Sequence, residues 1–449
     1  MGVVYFGSTV YWVVEVMQVH GGLHPIASVL VGALLVSYLA LYPAIFAAVL
    51  ARAIRRSGPG AVWFAPPLWV ASEWARSTIG GGFPWVPLGA SQAEALPVVQ
   101  LASVAGVYGL SMLLALVSTA AAALALTPGR ATRRTAAAVA VVVVIVGGAG
   151  AWRVSRATLM TGDMVRVGLV QGNVAQEQKY DLRFRDEIMR RYLGLSRRVL
   201  ADGASLVVWP EASTPFYFDA EGPLAQPIRQ LAATAGTPFL IGTDEYEPPR
   251  DGRPERFYNA AVLVGADGAS RGSYRKMHLV PFGEYVPLKS VLFFVAPLIE
   301  AVSDFSAGTD PVVFDAGGRQ VSVSICYESV YPGIAQAFVE GGSQLLATIT
   351  NDAWFGRSSA PHQHFAQGAL RAVEQGRYIV RAANTGISGA VDPYGRVIAR
   401  TNLFEPAALV VDVRLLSGRT IYSRVGDVVV WFSLAVTLWV VTTSLRRRS

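Results

Sequence analysis

The sequence is poor in charged residues and contains a single cysteine. Asp, Glu, Lys and Arg make up only 15% of its 449 residues, against about 25% in an average soluble protein. Because Cys326 has no second cysteine to join, an intramolecular disulfide and a zinc site built from cysteines are excluded. With 52% hydrophobic residues, the chain is too apolar to be disordered. This composition also argues against a wholly soluble protein.

Four long stretches carry no charge, and two weaker apolar stretches accompany them. The uncharged stretches are 26–50, 95–129, 135–152 and 428–445. The weaker ones are 3–19, which contains Glu15, and 61–75, which contains Pro66 and Pro67. About 18 or more uncharged residues are typical of a helix that crosses the hydrocarbon core of a bilayer. The sequence therefore predicts six membrane spans, in preference to the buried helices of a large soluble protein.

The arginines indicate how these spans are oriented. They cluster at 52–56, 130–134 and 446–448, and alternating crossings place all three clusters on one side. The positive-inside rule makes that side cytoplasmic. The first residues lack the basic region of a cleaved signal peptide. We expect a transmembrane domain over 1–152, an extracytoplasmic domain over 153–424, and a last membrane helix with a basic cytoplasmic tail over 425–449.

The segment 153–424 has the pattern of a layered α/β domain. Short apolar runs that predict strands are 165–170, 205–209, 238–242, 259–264, 321–325, 345–350 and 408–413. Residues 182–200 and 365–378 carry apolar side chains at helical spacing. Strands that alternate with helices are typical of α/β layers.

Three residues of this segment have complementary chemistry. Glu211 follows one apolar run, Cys326 follows another, and Lys276 lies in an apolar and aromatic stretch. Burying a carboxylate, an ammonium and a thiol separately is costly, whereas in one cleft they compensate one another. A carboxylate can take the proton of a thiol, and a lysine can stabilise a thiolate and an oxyanion. Taken singly, each residue has a plain alternative: a surface carboxylate, a snorkelling lysine and a small buried thiol.

These residues lie in motifs that resemble a known superfamily. Segments 209–211, 274–276 with 281–284, and 325–328 resemble the Glu-Lys-Cys signature of the nitrilase, or carbon–nitrogen hydrolase, superfamily. Further segments resemble the apolipoprotein N-acyltransferase family: 171–173, 283–287, 326–328, 350–355, 73–76 and 82–85. The resemblance covers nearly the whole chain and follows the family's order.

The resemblance implies a fold and an activity. The fold is a multi-pass α-helical membrane domain joined to an αββα nitrilase-like sandwich. The activity transfers an acyl chain from a phospholipid, typically phosphatidylethanolamine, to the N-terminal amine of a diacylglyceryl-cysteine lipoprotein. It proceeds through an enzyme thioester at the outer face of the bacterial inner membrane, without a metal or a cofactor. The family usually has eight membrane helices, so we expect its first two to be absent here.

The resemblance also assigns roles within the site. Cys326 is the nucleophile, Glu211 the general base and Lys276 the support for the oxyanion. Glu284 orients Lys276, while Tyr327 and Glu328 shape the site beside the nucleophile. The backbone N–H of Tyr327 is a second candidate oxyanion donor.

Other residues are predicted to bind substrate. They are Tyr180 at the pocket entrance, Asn351 and Trp354 as pocket walls, Phe293 and Phe294 in the apolar stretch 288–299, and Trp85 at the lipid interface. The stretch 288–299 is either a lid that dips into lipid or a helix buried under a loop. His362 and His364 near Asp352 could suggest a metal, but no further ligand is evident, and a structural or solvated role is favoured.

Two other functions fit parts of the pattern. A membrane-tethered amidase of the same superfamily would use the same three residues with water as the acceptor. A transporter or scaffold with a degenerate enzyme domain would not need all three positions filled. The filled positions and the apolar stretch 288–299 favour the acyltransferase.

Overall fold

The computed structural model describes residues 1–179, 181–249, 252, 254–281, 283–285 and 305–445. The chain divides into two compact units. The helical unit comprises Met1–Val14, His24–Thr158 and Thr420–Ser449, and the α/β unit comprises Glu15–Leu23 and Leu159–Arg419. The boundaries expected at 152/153 and 424/425 stay a prediction. The first falls inside a helix that runs on to Arg156, and the second at the end of a short helix, Ile421–Val425.

Helices account for nearly all of the helical unit. In chain order they are α1 (Gly2–Thr9), α2 (Trp12–Val19), which continues into the α/β unit, α3 (Pro25–Ser57), α4 (Ala65–Thr78), α5 (Leu96–Val99), α6 (Ala102–Leu126), α7 (Arg130–Arg156), α13 (Ile421–Val425) and α14 (Val428–Leu445). Helix α3 begins at Pro25, where a missing N–H costs nothing, and ends before Gly58 at φ 86°.

Three of these helices are long and apolar enough to cross a membrane, among the residues that the structure describes. They are α3, α6 and α7. Large apolar side chains on them face outward, including Leu34 at 70% and Val144 at 72% exposure, as expected of a surface that meets lipid.

The other three predicted spans form shorter helices. Residues 3–19 form two helices separated at Val10 and Tyr11, not one continuous span. Residues 61–75 begin in a 3-10 turn, because Pro66 and Pro67 fit only the first turn of α4. The apolar part of the last helix, Val428–Ser444, is also shorter than the three long helices. The count of six spans stays a prediction.

Two six-stranded sheets form the centre of the α/β unit. The first sheet contains, in spatial order, β12 (Ala407–Arg414), β1 (Met164–Gln171), β2 (Leu206–Val208), β3 (Phe239–Glu247), β4 (Arg256–Val264) and β5 (Ser270–Arg275). The second contains β11 (Val397–Arg400), β10 (Gly389–Val391), β9 (Ile379–Ala383), β8 (Leu345–Thr350), β7 (Gln320–Ile325) and β6 (Phe314–Asp315). In each sheet, three neighbouring strands are parallel (β1–β3 and β7–β9), and the outer strands are antiparallel.

Alternation along the strands explains the layers. Leu206 and Val208 lie in a core shared with Val323 and Ile349 of the second sheet, so the two sheets pack face to face. The side chains that alternate with Leu206 and Val208 point to the opposite face of the first sheet. Val207 and Trp209 pack beneath the helices α9 (Arg185–Ala201) and α10 (Gly222–Ala235).

Helices α11 (Pro332–Glu340) and α12 (Ala360–Gln375) cover the second sheet, where Phe338 and Ala335 lie against Leu346 and Ile379. A short helix, α8 (Gln176–Lys179), follows β1. The unit is an αββα sandwich.

Candidate active site

The thiol of Cys326 is placed by a sharp turn at the end of a central strand. Cys326 directly follows β7 and begins a 3-10 turn that runs to Val330. Its φ is 52°, a left-handed value that costs a non-glycine residue about 1–3 kcal/mol and that clusters at functional sites. The side chain is 8% exposed. The chain therefore stores strain where it presents its only cysteine.

Glu211 lies just past β2 with both carboxylate oxygens bound. Oε1 accepts a hydrogen bond of 2.7 Å from the Nδ2 of Asn259, and Oε2 accepts one of 2.7 Å from the backbone N–H of Asn351. The residue is 7% exposed. These two donors come from strand β4 and from the end of β8. They fix the carboxylate in one orientation.

Lys276 follows β5 and is completely buried between two carboxylates. Its Nζ lies 2.8 Å from Oε1 of Glu284 and 3.5 Å from Oε1 of Glu211. Burial alone would lower the pKa of Lys276, but the charges of Glu284 and Glu211 outweigh burial and raise it above its usual range. Lys276 therefore remains an ammonium group at any physiological pH.

Asn259 connects the two carboxylates on either side of Lys276. Besides binding Glu211, its Nδ2 donates a hydrogen bond of 2.8 Å to Oε1 of Glu284. The other oxygen of Glu284 accepts a bond of 2.7 Å from the backbone of Val280. One amide group thus holds both carboxylates in place against the ammonium.

The thiol of Cys326 is influenced by the same charges. Burial raises its pKa, and the negative charge of Glu211 raises it further, while the positive charge of Lys276 opposes them. The net result is a raised pKa, so the resting group is a thiol. Such a thiol becomes a nucleophile only when a nearby base takes its proton.

Glu328 links the cysteine turn to the segment after Lys276. Its Oε2 accepts from the N–H of Ile325 at 2.7 Å, and its Oε1 accepts from the hydroxyl of Tyr274 at 2.8 Å. Oε1 also accepts from the N–H groups of Met277 and His278 at 2.7 and 3.1 Å. Burial raises the pKa of this carboxyl group to about 7. Glu328 is enclosed by protein, where it aligns two segments of the site.

Tyr327 lies directly after Cys326 and is 6% exposed. Its ring packs edge-on against Tyr331, with ring centroids 5.3 Å apart, and lies 6.0 Å from the ring of His278. This aromatic group walls the site next to Cys326.

Of the predicted substrate-binding residues, Asn351 belongs to the framework of the site. Its Nδ2 donates to Gln176 at 2.7 Å, its Oδ1 accepts from Asn384 at 3.0 Å, and the residue is 4% exposed. Trp354 is 40% exposed, and its ring packs edge-on against the ring of His20, with ring centroids 4.9 Å apart. Tyr180, Phe293, Phe294 and the rest of 288–299 lie outside the described residues.

Trp85 is not at an exposed interface as expected. It is 1% exposed and packs against Trp12 with ring centroids 5.2 Å apart, inside the helical unit. Arg76 donates a hydrogen bond of 2.8 Å to the carbonyl of Trp85. Glu73 accepts one of 2.7 Å from the N–H of Leu88. The loop that carries Trp85 is thus tied to α4, and its indole serves packing.

Sequence reasoning missed two polar residues of the site. The sequence pattern places Asn259 only in a predicted strand, although an amide within an apolar run is a signal of a buried polar partner. Lys179 is 4% exposed, and its Nζ donates a hydrogen bond of 3.0 Å to the backbone carbonyl of Glu211. Among the described residues, no group of three His, Cys, Asp or Glu side chains is placed to hold a metal ion.

Comparisons with known proteins cover both units. Residues 1–120 match the model of the apolipoprotein N-acyltransferase N-terminal domain, and residues 166–421 match that of carbon–nitrogen hydrolases. The apolipoprotein N-acyltransferase of Geobacter metallireducens is 39% identical over 100% of this chain and 86% of that protein. That of Methylococcus capsulatus is 35% identical over 99% of this chain and 85% of that protein. An amidase from Nesterenkonia is a solved structure with 22% identity, covering 58% of this chain and 96% of that chain at a TM-score of 0.44.

Proposed function

Since this chain belongs to the apolipoprotein N-acyltransferase family and is a membrane protein with long apolar helices, we propose that it acylates bacterial lipoproteins through a thioester on Cys326. The donor is a phospholipid, with phosphatidylethanolamine as the first candidate. The acceptor is the N-terminal amine of a diacylglyceryl-cysteine. The observation that carries the proposal is the buried thiol of Cys326, which interacts electrostatically with the oriented carboxylate of Glu211 and the ammonium group of Lys276.

The first step forms the thioester. Glu211 takes the proton of the Cys326 thiol, and the thiolate attacks the ester carbonyl of the phospholipid. The ammonium of Lys276 stabilises the resulting oxyanion, together with the N–H of Tyr327. The carbon–oxygen bond of the ester then breaks. Glu211 returns its proton to the leaving alkoxide, which departs as a lysophospholipid.

The second step transfers the acyl chain to the lipoprotein. The N-terminal amine attacks the thioester carbonyl, and the same donors stabilise the second oxyanion. Glu211 takes a proton from the attacking nitrogen and delivers it to the thiolate of Cys326 as the carbon–sulfur bond breaks. The products are an amide and the free thiol, so the enzyme returns to its starting state.

The framework around the carboxylates suits this double use of Glu211. Hydrogen bonds from Asn259 and Asn351 keep its oxygens in one position while its proton comes and goes. Glu284 compensates Lys276 independently of Glu211. Lys276 therefore remains charged and fixed when Glu211 is neutral. Such preorganised charges are usually the largest contribution to catalysis of acyl transfer.

An amidase that uses water shares the three residues and is the second candidate. The match of residues 1–120 to the N-terminal domain of the acyltransferase family favours the lipoprotein acceptor. The two candidates differ in their acceptor, so the test must follow the fate of the acyl group.

The test is the intact mass of the detergent-purified protein after incubation with phosphatidylethanolamine in mixed micelles. We expect a mass gain of one acyl chain that hydroxylamine removes, and no gain in Cys326→Ala. A diacylated lipopeptide should then discharge the wild-type adduct and gain the acyl group at its amine. If micellar phosphatidylethanolamine leaves both proteins unmodified, the phospholipid donor is wrong. If an adduct forms but water alone discharges it, the amidase is the better assignment.

We also propose that the protein lies in the bacterial inner membrane with the α/β unit on the outer side. Because Cys326 is the only cysteine, Cys326→Ala gives a background without thiols. Ala201 in the α/β unit and Ala131 between predicted spans are both exposed, so each can be changed to cysteine singly.

In spheroplasts, an impermeant maleimide should label Ala201→Cys but reach Ala131→Cys only after permeabilisation. The reverse pattern would overturn the orientation.

A further inference from the structure

A cluster of buried ionisable side chains lies next to Cys326 and is not used by the proposed mechanism. Its members are Asp352, His364 and Arg381, which are 0%, 0% and 3% exposed. Nη2 of Arg381 lies 2.8 Å from Oδ2 of Asp352 and 2.9 Å from Nδ1 of His364. Asp352 also accepts a hydrogen bond of 2.8 Å from Thr350. Burial of such groups is weak evidence for stability, because desolvation offsets much of their attraction.

The cluster reaches the reaction centre through His364. Its Nε2 lies 3.0 Å from the backbone carbonyl oxygen of Cys326 and 2.9 Å from Oγ of Ser329. A carbonyl oxygen only accepts hydrogen bonds, so this contact is a hydrogen bond when Nε2 carries a proton. Burial and the neighbouring Arg381 lower the pKa of His364, which favours the neutral ring. Nδ1 lies 2.9 Å from Nη2 of Arg381, a donor, and 3.0 Å from Oδ1 of Asp352, an acceptor. In the neutral ring with its proton on Nε2, Nδ1 accepts from Arg381.

The carbonyl of Cys326 and the N–H of Tyr327 belong to one peptide group. That group is planar and trans, so its C=O and N–H point in opposite directions. A hydrogen bond that fixes the carbonyl therefore also fixes the direction of the N–H. The φ of 52° at Cys326 makes this restraint necessary, because a strained turn persists only where its surroundings hold it.

We propose that His364 is a positioning residue that holds the Cys326–Tyr327 peptide group so that the N–H of Tyr327 points at the oxyanion. Asp352 and Arg381 both contact Nδ1 and hold the ring of His364 in the orientation in which Nε2 faces the carbonyl. This inference rests on the proposed function, because the oxyanion arises only if Cys326 attacks a carbonyl carbon. It gives the buried cluster a role in catalysis without contact to the substrate.

His364→Asn and His364→Gln form a matched pair, because both replace the ring with an amide but at different distances from the backbone. The amide nitrogen of glutamine can occupy the place of Nε2 and donate to the carbonyl, whereas that of asparagine corresponds to Nδ1 and falls short. His362 is exposed on the same helix, and His362→Asn controls for the loss of a histidine from α12. Arg381→Lys is a second variant, which keeps a cation beside Asp352 but weakens the support of the ring.

The experiment compares two reactions of Cys326 in the full-length protein in detergent. Thioester formation from phosphatidylethanolamine passes through an oxyanion. Alkylation by iodoacetamide displaces iodide at a saturated carbon and forms no oxyanion. We expect His364→Asn to slow single-turnover acylation by about 100-fold, as a misdirected oxyanion donor does. Alkylation should proceed near the wild-type rate. His364→Gln should recover most of the acylation rate, and His362→Asn should match the wild type.

Several results would overturn the inference. One is wild-type acylation in His364→Asn; another is equal impairment of the asparagine and glutamine variants. A parallel loss of acylation and alkylation would show that the histidine only supports the local fold. Should His364→Asn fail to fold, Arg381→Lys carries the test, with slowed acylation and unchanged alkylation expected. A wild-type protein that forms no thioester would instead refute the proposed function.

Discussion

Replacing Asn259 with alanine removes a side chain that donates hydrogen bonds to both carboxylates around Lys276. The two bonds measure 2.7 Å to Glu211 and 2.8 Å to Glu284, and Asn259 is 5% exposed. A hydrogen bond to a charged group contributes about 1.5–3 kcal/mol net. Loss of one such contribution from the transition state corresponds to a rate decrease of about 10- to 150-fold.

The decrease should appear in the rate of thioester formation at saturating phospholipid. Glu211 has to take up and return a proton from one position, and without Asn259 its Oε1 loses that restraint. The KM for the phospholipid should change little, because the buried amide faces the two carboxylates. Single-turnover acylation followed by intact mass separates these two quantities.

Two further variants make the reasoning refutable. Asn402→Ala removes an exposed amide that donates to Glu405 at 3.2 Å, and it should leave acylation unchanged. Asn259→Asp keeps the shape but replaces the donor with a third carboxylate, so it should be slower than Asn259→Ala. A folded Asn259→Ala protein with wild-type acylation, or an aspartate variant that restores it, would refute the role of Asn259.

Two other predictions concern the helical unit and the thiol. Gly106→Ala should lower the thermal stability in detergent, because Gly106 has φ 65° and an added Cβ would lie 2.4 Å from the ring of Tyr422; overpacking of this kind costs about 1–3 kcal/mol. Gly147→Ala in α7, where the added group meets no described atom within 4 Å beyond the neighbouring backbone of its own helix, is the matched control and should not destabilise. The raised pKa of Cys326 means that its thiolate fraction is small at neutral pH and grows as pH rises. Its alkylation by iodoacetamide should therefore keep accelerating beyond about pH 9.5, one unit above the usual thiol pKa of about 8.5, where an ordinary thiol has levelled off. A plateau near that pH would contradict the burial argument.

Local pattern was sufficient for the central strands. Each of the seven apolar runs that predict strands overlaps a strand of the structure, with Val321–Ile325 and Leu345–Thr350 as the parallel pair beside Cys326. Strands buried on both faces read as continuous apolar runs, so their signal is local.

Strands and helices with weaker local signals were missed. β5 is polar in sequence (Ser270–Arg275), β6 and β10 are only two and three residues long, and β11 is largely exposed. Helix α10 contains Pro227. These elements depend on their neighbours, since the ladder hydrogen bonds and the packing that stabilise them come from residues distant in the chain. The two sheets share the same arrangement of parallel and antiparallel strands, but no repeat is visible in the sequence that would predict it.

The candidate site divides in the same way. Motif resemblance singled out Glu211, Lys276, Cys326, Glu284 and Glu328. In the structure, Lys276 interacts electrostatically with Glu211, Glu284 and Cys326. Their catalytic roles stay predictions. Trp85 was misjudged, because an indole near a membrane segment is as readily packed inside a helical bundle as exposed at an interface.

By itself the sequence determined the class of the chain: long uncharged stretches, apolar strands and a few ionisable residues beside them. Each of these is a property of neighbouring residues, which composition and spacing report directly. Only the tertiary structure decided which polar groups meet, such as Asn259 with two carboxylates and His364 with the carbonyl of Cys326. Such contacts join residues 25 to 48 positions apart, and the strand order and sheet packing that create them are set by the whole domain.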